Sequence, residues 1–165
     1  MIDAVDRLLE EWKGQRPELD CEALAIVVRV QLLGKLLQRD AEKALQPLRL
    51  KLWEYDVLSV LRRQGQPFQK SASALAAAAM LSSGAMTTRI DRLEERGWVQ
   101  RQADPDDRRG VRVRLTPAGL AVIDQAIGAR LEAAKQQLRV LTQPEREAVA
   151  GGLRKLLLAQ LTGSG

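Results

Sequence analysis

The stretch Ser82-Ser83-Gly84-Ala85-Met86-Thr87-Thr88-Arg89-Ile90-Asp91-Arg92-Leu93-Glu94-Glu95-Arg96-Gly97-Trp98-Val99 reads as a capped helix running into a strand. Met86, Ile90 and Leu93 recur at helical spacing, Ser83 is the expected cap, and Gly97 ends the helix. The loop Asp104-Pro105-Asp106-Asp107-Arg108-Arg109-Gly110 follows, and then Val111-Arg112-Val113-Arg114-Leu115, where apolar and basic residues alternate as on a strand. A helix joined to a two-stranded ribbon with a charged tip is the outline of a winged helix-turn-helix. That device seats one helix in a DNA major groove and a loop in the groove beside it.

The faces of this helix sharpen the reading. At about 100° per residue, Met86, Ile90, Leu93 and Gly97 share the packed side, and Gly84, Thr87, Thr88, Asp91 and Glu95 lie opposite, with Arg92 flanking. Small hydroxyl residues near a helix start suit base edges and phosphates. Ser82, Ser83, Gly84, Thr87, Thr88 and Arg92 are therefore the expected DNA contacts of the helix, and Arg108, Arg109 and Arg112 those of the ribbon. Every basic residue from Ser82 to Thr116 is arginine, eight against six acids, so placement matters more than the sum. Arginine fits bidentate contacts and narrow minor grooves better than lysine does. Taken singly, each element could be an ordinary surface helix or a solvated hairpin; their conjunction favours DNA.

Working outward, Ile2–Lys13 has an amphipathic pattern with Val5, Leu8, Leu9 and Trp12 on one stripe, broken by Gly14 and Pro17. A long helix is expected from about Asp20 to Leu45, apolar on almost every side between Ala23 and Leu37; a single chain this small can cover one side, and a second copy could cover the other. Helices over Leu52–Gln64 and Ser71–Met80 lead into the decisive stretch. Beyond it, Thr116-Pro117 opens a helix striped by Leu120, Ile123, Ile127, Leu131, Ala134, Leu138 and Leu141, and Thr142-Gln143-Pro144-Glu145 is a capping box for a last helix to about Leu161. The expected architecture is mainly α with a small β wing. Residues 1–46 form N-terminal helices for dimerisation and ligand binding, 47–116 the winged helix-turn-helix, and 117–165 C-terminal dimerisation helices.

The composition narrows the function. The 165 residues are 45% hydrophobic but 3% aromatic, which favours aliphatic helix packing, and the net charge of +5 permits nucleic-acid binding. There is no histidine, hence no imidazole base, no Ser–His or Cys–His pair and no HExxH site, and no phosphate-cradling glycine loop appears. The chain is not expected to be an enzyme, nor to need a metal or cofactor. A single cysteine, no signal peptide and no membrane-length apolar run point to a cytoplasmic protein without a membrane partner.

The run Leu81–Glu94, the loop Asp104–Gly110 and Val113-Arg114-Leu115-Thr116-Pro117-Ala118-Gly119 resemble the multiple antibiotic resistance regulator (MarR) family over nearly the whole chain. The resemblance implies a homodimer on a palindromic operator in double-stranded DNA, acting as a repressor released by a small ligand or an oxidant. Within the family the chain is most similar to the urate-responsive branch, through the extra N-terminal helix with Trp12, the segment Trp53-Glu54-Tyr55-Asp56-Val57-Leu58, and Ser82–Leu93. That branch implies a site for urate or another planar aromatic anion at Trp12, Asp56, Arg89 and Arg101. The residues add partial support. Arg89 lies about 60° from the buried stripe and can reach inward, and a carboxylate among Trp53, Val57 and Val60 needs a partner. The alternatives are a redox sensor acting through Cys21 and a DNA-binding dimer that answers to no ligand.

Overall fold

The computed structural model describes residues 2–104 and 107–162; the side chains of residues 107–109 lie outside the description. Seven helices are described: α1 (Ala4–Gln15), α2 (Leu24–Leu45), α3 (Leu52–Arg62), α4 (Ala72–Ala78), α5 (Ser83–Glu95), α6 (Pro117–Gln137) and α7 (Gln143–Thr162). A 3₁₀ turn, Gln46–Leu48, links α2 to α3. Three strands, β1 (Gln69–Ser71), β2 (Val99–Asp104) and β3 (Asp107–Leu115), form one antiparallel sheet in the order β1-β3-β2. The chain is mainly helical with a small wing, as the sequence pattern implies.

The ribbon has a third member that the pattern does not show. β1 pairs Gln69–Ser71 with Arg112–Arg114 of β3 and anchors the wing to the lobe. Strand pairing also runs further towards the tip than the loop composition predicts, to Asp104 opposite Asp107 with an irregularity after Ala103. In the lobe, Leu58 and Leu61 of α3, Leu75 of α4, Met86, Ile90 and Leu93 of α5, Val99, Val113 and Leu115 of the sheet and Ile123 of α6 close one apolar core with Leu45 of α2. Burial of such side chains contributes about 1.5–3 kcal/mol each and holds α5 against the lobe.

Two helix starts differ from expectation. Ser82, not Ser83, caps α5, accepting the Ala85 N–H at 3.3 Å, so cap and helix start both lie one residue earlier. α2 begins at Leu24 rather than Asp20, because Asp20 spends its carboxylate on the Glu22 N–H in a turn (3.0 Å) and leaves α2 with no side-chain cap. The other caps follow the sequence: Thr116 accepts the Gly119 N–H with Pro117 in the first turn of α6, and Glu145 accepts the Thr142 N–H at 2.7 Å.

α1 packs on α2 through buried Val5 and an ion cluster in which Arg29 binds Asp3 (2.8 Å) and Asp6. The Arg29 hydrogen bond, then the Asp6 backbone bond, hold the Asp3 carboxyl down from 3.8 to about 2. Because the folded value is depressed, this stabilisation is present above 3.8 and is lost as the pH falls through about 2. An NMR titration should place the Asp3 midpoint near 2 and return it towards 3.8 in Arg29→Ala; a midpoint already at the ordinary value would show that α1 is not held by this pair.

Long apolar faces remain open. Ile26, Val27, Val30, Leu33 and Leu37 on α2, Leu131 on α6, Leu138 just past its end, and Val149, Leu153, Leu156, Leu157 and Leu161 on α7 are exposed, and α7 has no buried residue. No helix among the described residues is long and apolar enough to cross a membrane.

Candidate nucleic-acid interface and ligand cavity

α4 and α5 form the helix-turn-helix, joined by a turn in which Met80 takes the left-handed conformation (φ 51°) and stands 87% exposed. Ser83, Gly84, Thr87, Thr88 and Arg92 are exposed on the outer side of α5 while Met86, Ile90 and Leu93 are buried, so the two faces fall where the helical period puts them. Thr87 Oγ1 donates to the Ser83 carbonyl (2.9 Å) and Thr88 Oγ1 to the Gly84 carbonyl (3.2 Å). With the hydroxyl protons turned back into the helix, the outward lone pairs are acceptors, which suits base amino groups better than phosphate oxygens. On the wing, Arg112 Nε binds the Asp104 carboxylate at 2.9 Å, so its guanidinium is braced rather than free. Arg108 and Arg109 lie on β3 with side chains outside the description.

Behind α5 lies a cavity of about 1010 Å³, walled by the C-terminal end of α2, the segment Arg49–Trp53, Asp56 of α3, Leu81 and Arg89. Arg39, Lys43, Arg49, Lys51 and Arg89 line it against Glu42 and Asp56. Five cations against two acids favour an anionic occupant. The Arg89 guanidinium sits 5.4 Å from the Trp53 ring centre, so a cation and an aromatic face share one wall. Asp56 stays accessible, yet desolvation raises its carboxyl above 3.8 against the opposing pull of Arg130, Arg89 and Arg63.

Of the four residues implied for the ligand, the structure brings Asp56 and Arg89 together and sets the other two apart from this cavity. Trp12 is on α1, 44% exposed. Arg101, on β2, faces α5, where Asp91 and Glu94 stand one helical turn apart: one guanidinium nitrogen binds Asp91, another binds Glu94, and its backbone N–H donates to Glu94 at 2.9 Å. Desolvation works against the Arg101 charge, but these bonds outweigh it and raise its pKa. Arg101 thereby fastens the wing to the reading helix. Cys21 is half-buried ahead of α2, between Asp20 and Glu22, and among the described residues no basic side chain is bonded to it.

Sequence reasoning missed the aromatic wall, Trp53, and a second ionic centre. Glu54, 3% exposed, accepts two bonds from Arg96 (both 2.9 Å) and one from the Lys51 N–H (2.7 Å). The spacing of Glu54 three residues after Lys51 is a helix-start signal and was available; its partner, 42 residues away, was not. Arg130 lies 5.8 Å from the Tyr55 ring, close enough for its charge to reach Asp56.

Comparison with known proteins agrees with this geometry. Residues 50–111, the lobe from the start of α3 to β3, match the MarR family. The transcriptional regulator PecS of Dickeya dadantii is 31% identical over 157 residues, covering 93% of this chain and 95% of PecS. The chain belongs to the MarR family. A structure of an E. coli MarR variant complexed with operator DNA superimposes with a TM-score of 0.74 at 26% identity, over 83% of this chain and 96% of that one. AbsC, a MarR-family regulator from Streptomyces coelicolor, gives 0.76 at 27% identity over 88% and 97%. This MarR-family protein is a DNA-binding transcriptional regulator, and its relatives are regulators rather than enzymes.

Proposed function

We propose that this MarR-family regulator is a homodimeric repressor that holds a palindromic operator and releases it when a planar anion of the urate type enters the cavity behind α5. The observation that carries the reading is Arg89, which belongs to the reading helix and lines the cavity beside Trp53 and Asp56. An anion drawn to Arg89 competes with the Asp56 charge and the Trp53 face, and it acts on the helix that touches DNA. Trp12 and Arg101 belong to the ligand set by the family resemblance alone: both stand outside the cavity lining here, so each must move towards it, Arg101 exchanging its bonds to Asp91 and Glu94 for the ligand. Ser82, Ser83, Gly84, Thr87, Thr88 and Arg92 contact the major groove and its phosphates, and Arg108, Arg109 and Arg112 the neighbouring groove. The open apolar faces of α2, α6 and α7 support a second copy as the other half of the dimer. No observation favours oxidant sensing through Cys21.

Titration calorimetry with urate tests the site. Arg89→Ala should weaken binding about 10- to 100-fold, the loss of one charge-assisted contact, and in a shift assay urate should no longer free the promoter fragment. Trp12→Phe reports whether α1 joins the site. Urate binding unchanged in Arg89→Ala would remove the cavity from the mechanism.

A further inference from the structure

We propose that Glu54 and Arg96 are a positioning pair that sets the angle at which the reading helix meets DNA. Neither residue faces the base-reading side of α5, and the release mechanism above does not use them. Glu54 is the one charged residue in the buried core among the described residues. Burying a carboxylate is costly unless it is fully bonded; here one bond closes the start of α3 on the Lys51 N–H, and the two from Arg96 tie α3 to the end of α5.

The geometry is a three-way junction. One terminal nitrogen of Arg96 spans both Glu54 oxygens at 2.9 Å, and the other donates to the Arg49 carbonyl at 3.0 Å. Arg49 takes the left-handed conformation (φ 50°), which a residue other than glycine adopts only at a cost and which aims that carbonyl at the guanidinium. The flat guanidinium lies 3.6 Å from the centre of the Trp98 ring. Trp98 is the root of the wing, and its carbonyl accepts the Thr116 N–H at the start of α6. Arg96 itself ends α5. One side chain therefore joins the turn before α3, the buried carboxylate of α3, the end of the reading helix and the base of the wing.

The apolar contacts of Met86, Ile90 and Leu93 hold α5 against the lobe but are non-directional; they tolerate a small roll of the helix about its axis. The Arg96 junction has fixed angles and does not. Arg101 already makes α5 and β2 one piece through Asp91 and Glu94, so the Glu54–Arg96 bond orients helix and wing together. Base contacts depend on sub-ångström placement, whereas phosphate contacts through flexible side chains do not. Loosening the junction should therefore cost sequence preference before it costs affinity for DNA in general.

Arg96→Lys is the decisive variant. It keeps the charge, and so the electrostatic attraction to DNA, but a lysine cannot span the carboxylate, reach the Arg49 carbonyl and stack on Trp98 at once. Glu54→Gln is its complement, keeping an acceptor for the Lys51 N–H. Affinities are measured for the duplex that the wild-type protein selects from a random library and for a random-sequence duplex, with the melting temperature alongside. The expected result for Arg96→Lys is a loss of about tenfold or more for the selected duplex, about twofold or less for the random one, and a melting temperature within a few degrees. Should the two affinities fall together, or the preference stay whole, the pair is only a structural bond and the proposal is overturned. If Glu54→Gln does not fold, Arg96→Lys still decides.

Discussion

Gly119→Ala should lower the melting temperature by about 6–12 °C, the largest stability loss expected from adding a single methyl group to this chain. Gly119 lies in the first turn of α6, and a Cβ there would stand 1.9 Å from the Trp98 carbonyl oxygen and 2.8 Å from its carbon. Both are backbone atoms, so no side chain can swing away. The contact sits inside a tight lattice. The Thr116 hydroxyl donates to the Gly97 carbonyl (2.6 Å) and accepts the Gly119 N–H (3.0 Å), and the Thr116 N–H donates to the same Trp98 carbonyl (3.0 Å). To make room, α6 must retreat from the wing root and break at least one of these bonds. Overpacking of this kind costs about 3 kcal/mol, and thermal unfolding followed by circular dichroism checks it. A melting temperature within about 2 °C of wild type would show that the start of α6 slides freely over Trp98.

A charge on the open face of α7 should have the largest effect on DNA binding. Leu157→Glu is expected to convert a dimer to a monomer in sedimentation equilibrium and to weaken operator binding by about 10²–10³-fold. Two half-sites held together gain an effective concentration that a single lobe lacks. Leu157 is 62% exposed in the single chain and is not part of the buried core, so the lobe itself should melt almost unchanged. An intact dimer with Leu157→Glu, or a monomeric wild type, would move the subunit contact elsewhere or remove it.

How much of this was legible before the structure varies with the range of the interaction. The two faces of α5, the caps of α6 and α7 and the open apolar surface of α2 follow from local period and from residues three or four apart. The α5 cap was read one residue late because Ser82 and Ser83 have the same chemistry and only the backbone angle distinguishes them. β1 has no signature of its own. Gln69-Lys70-Ser71 neither alternates nor contains a β-branched residue, and it becomes a strand because β3 offers it an edge. The pairing of Asp56 with Arg89 in one cavity was reached through family resemblance with some help from helix angles. The choice of Trp53 as its aromatic wall, and of Asp91 and Glu94 as partners for Arg101, depends on how separate elements cross, which spacing along the chain does not encode.

The bonds from Arg101 to Asp91 and Glu94 also bear on how such a regulator changes over time. Hairpin and recognition element travel as a single rigid tool, so a substitution that tilts one tilts the other. New target sequences are then reached by exchanging the side chains displayed on the tool rather than by re-aiming its parts. Substitutions that leave these two bonds intact should keep the spacing between the two probes fixed.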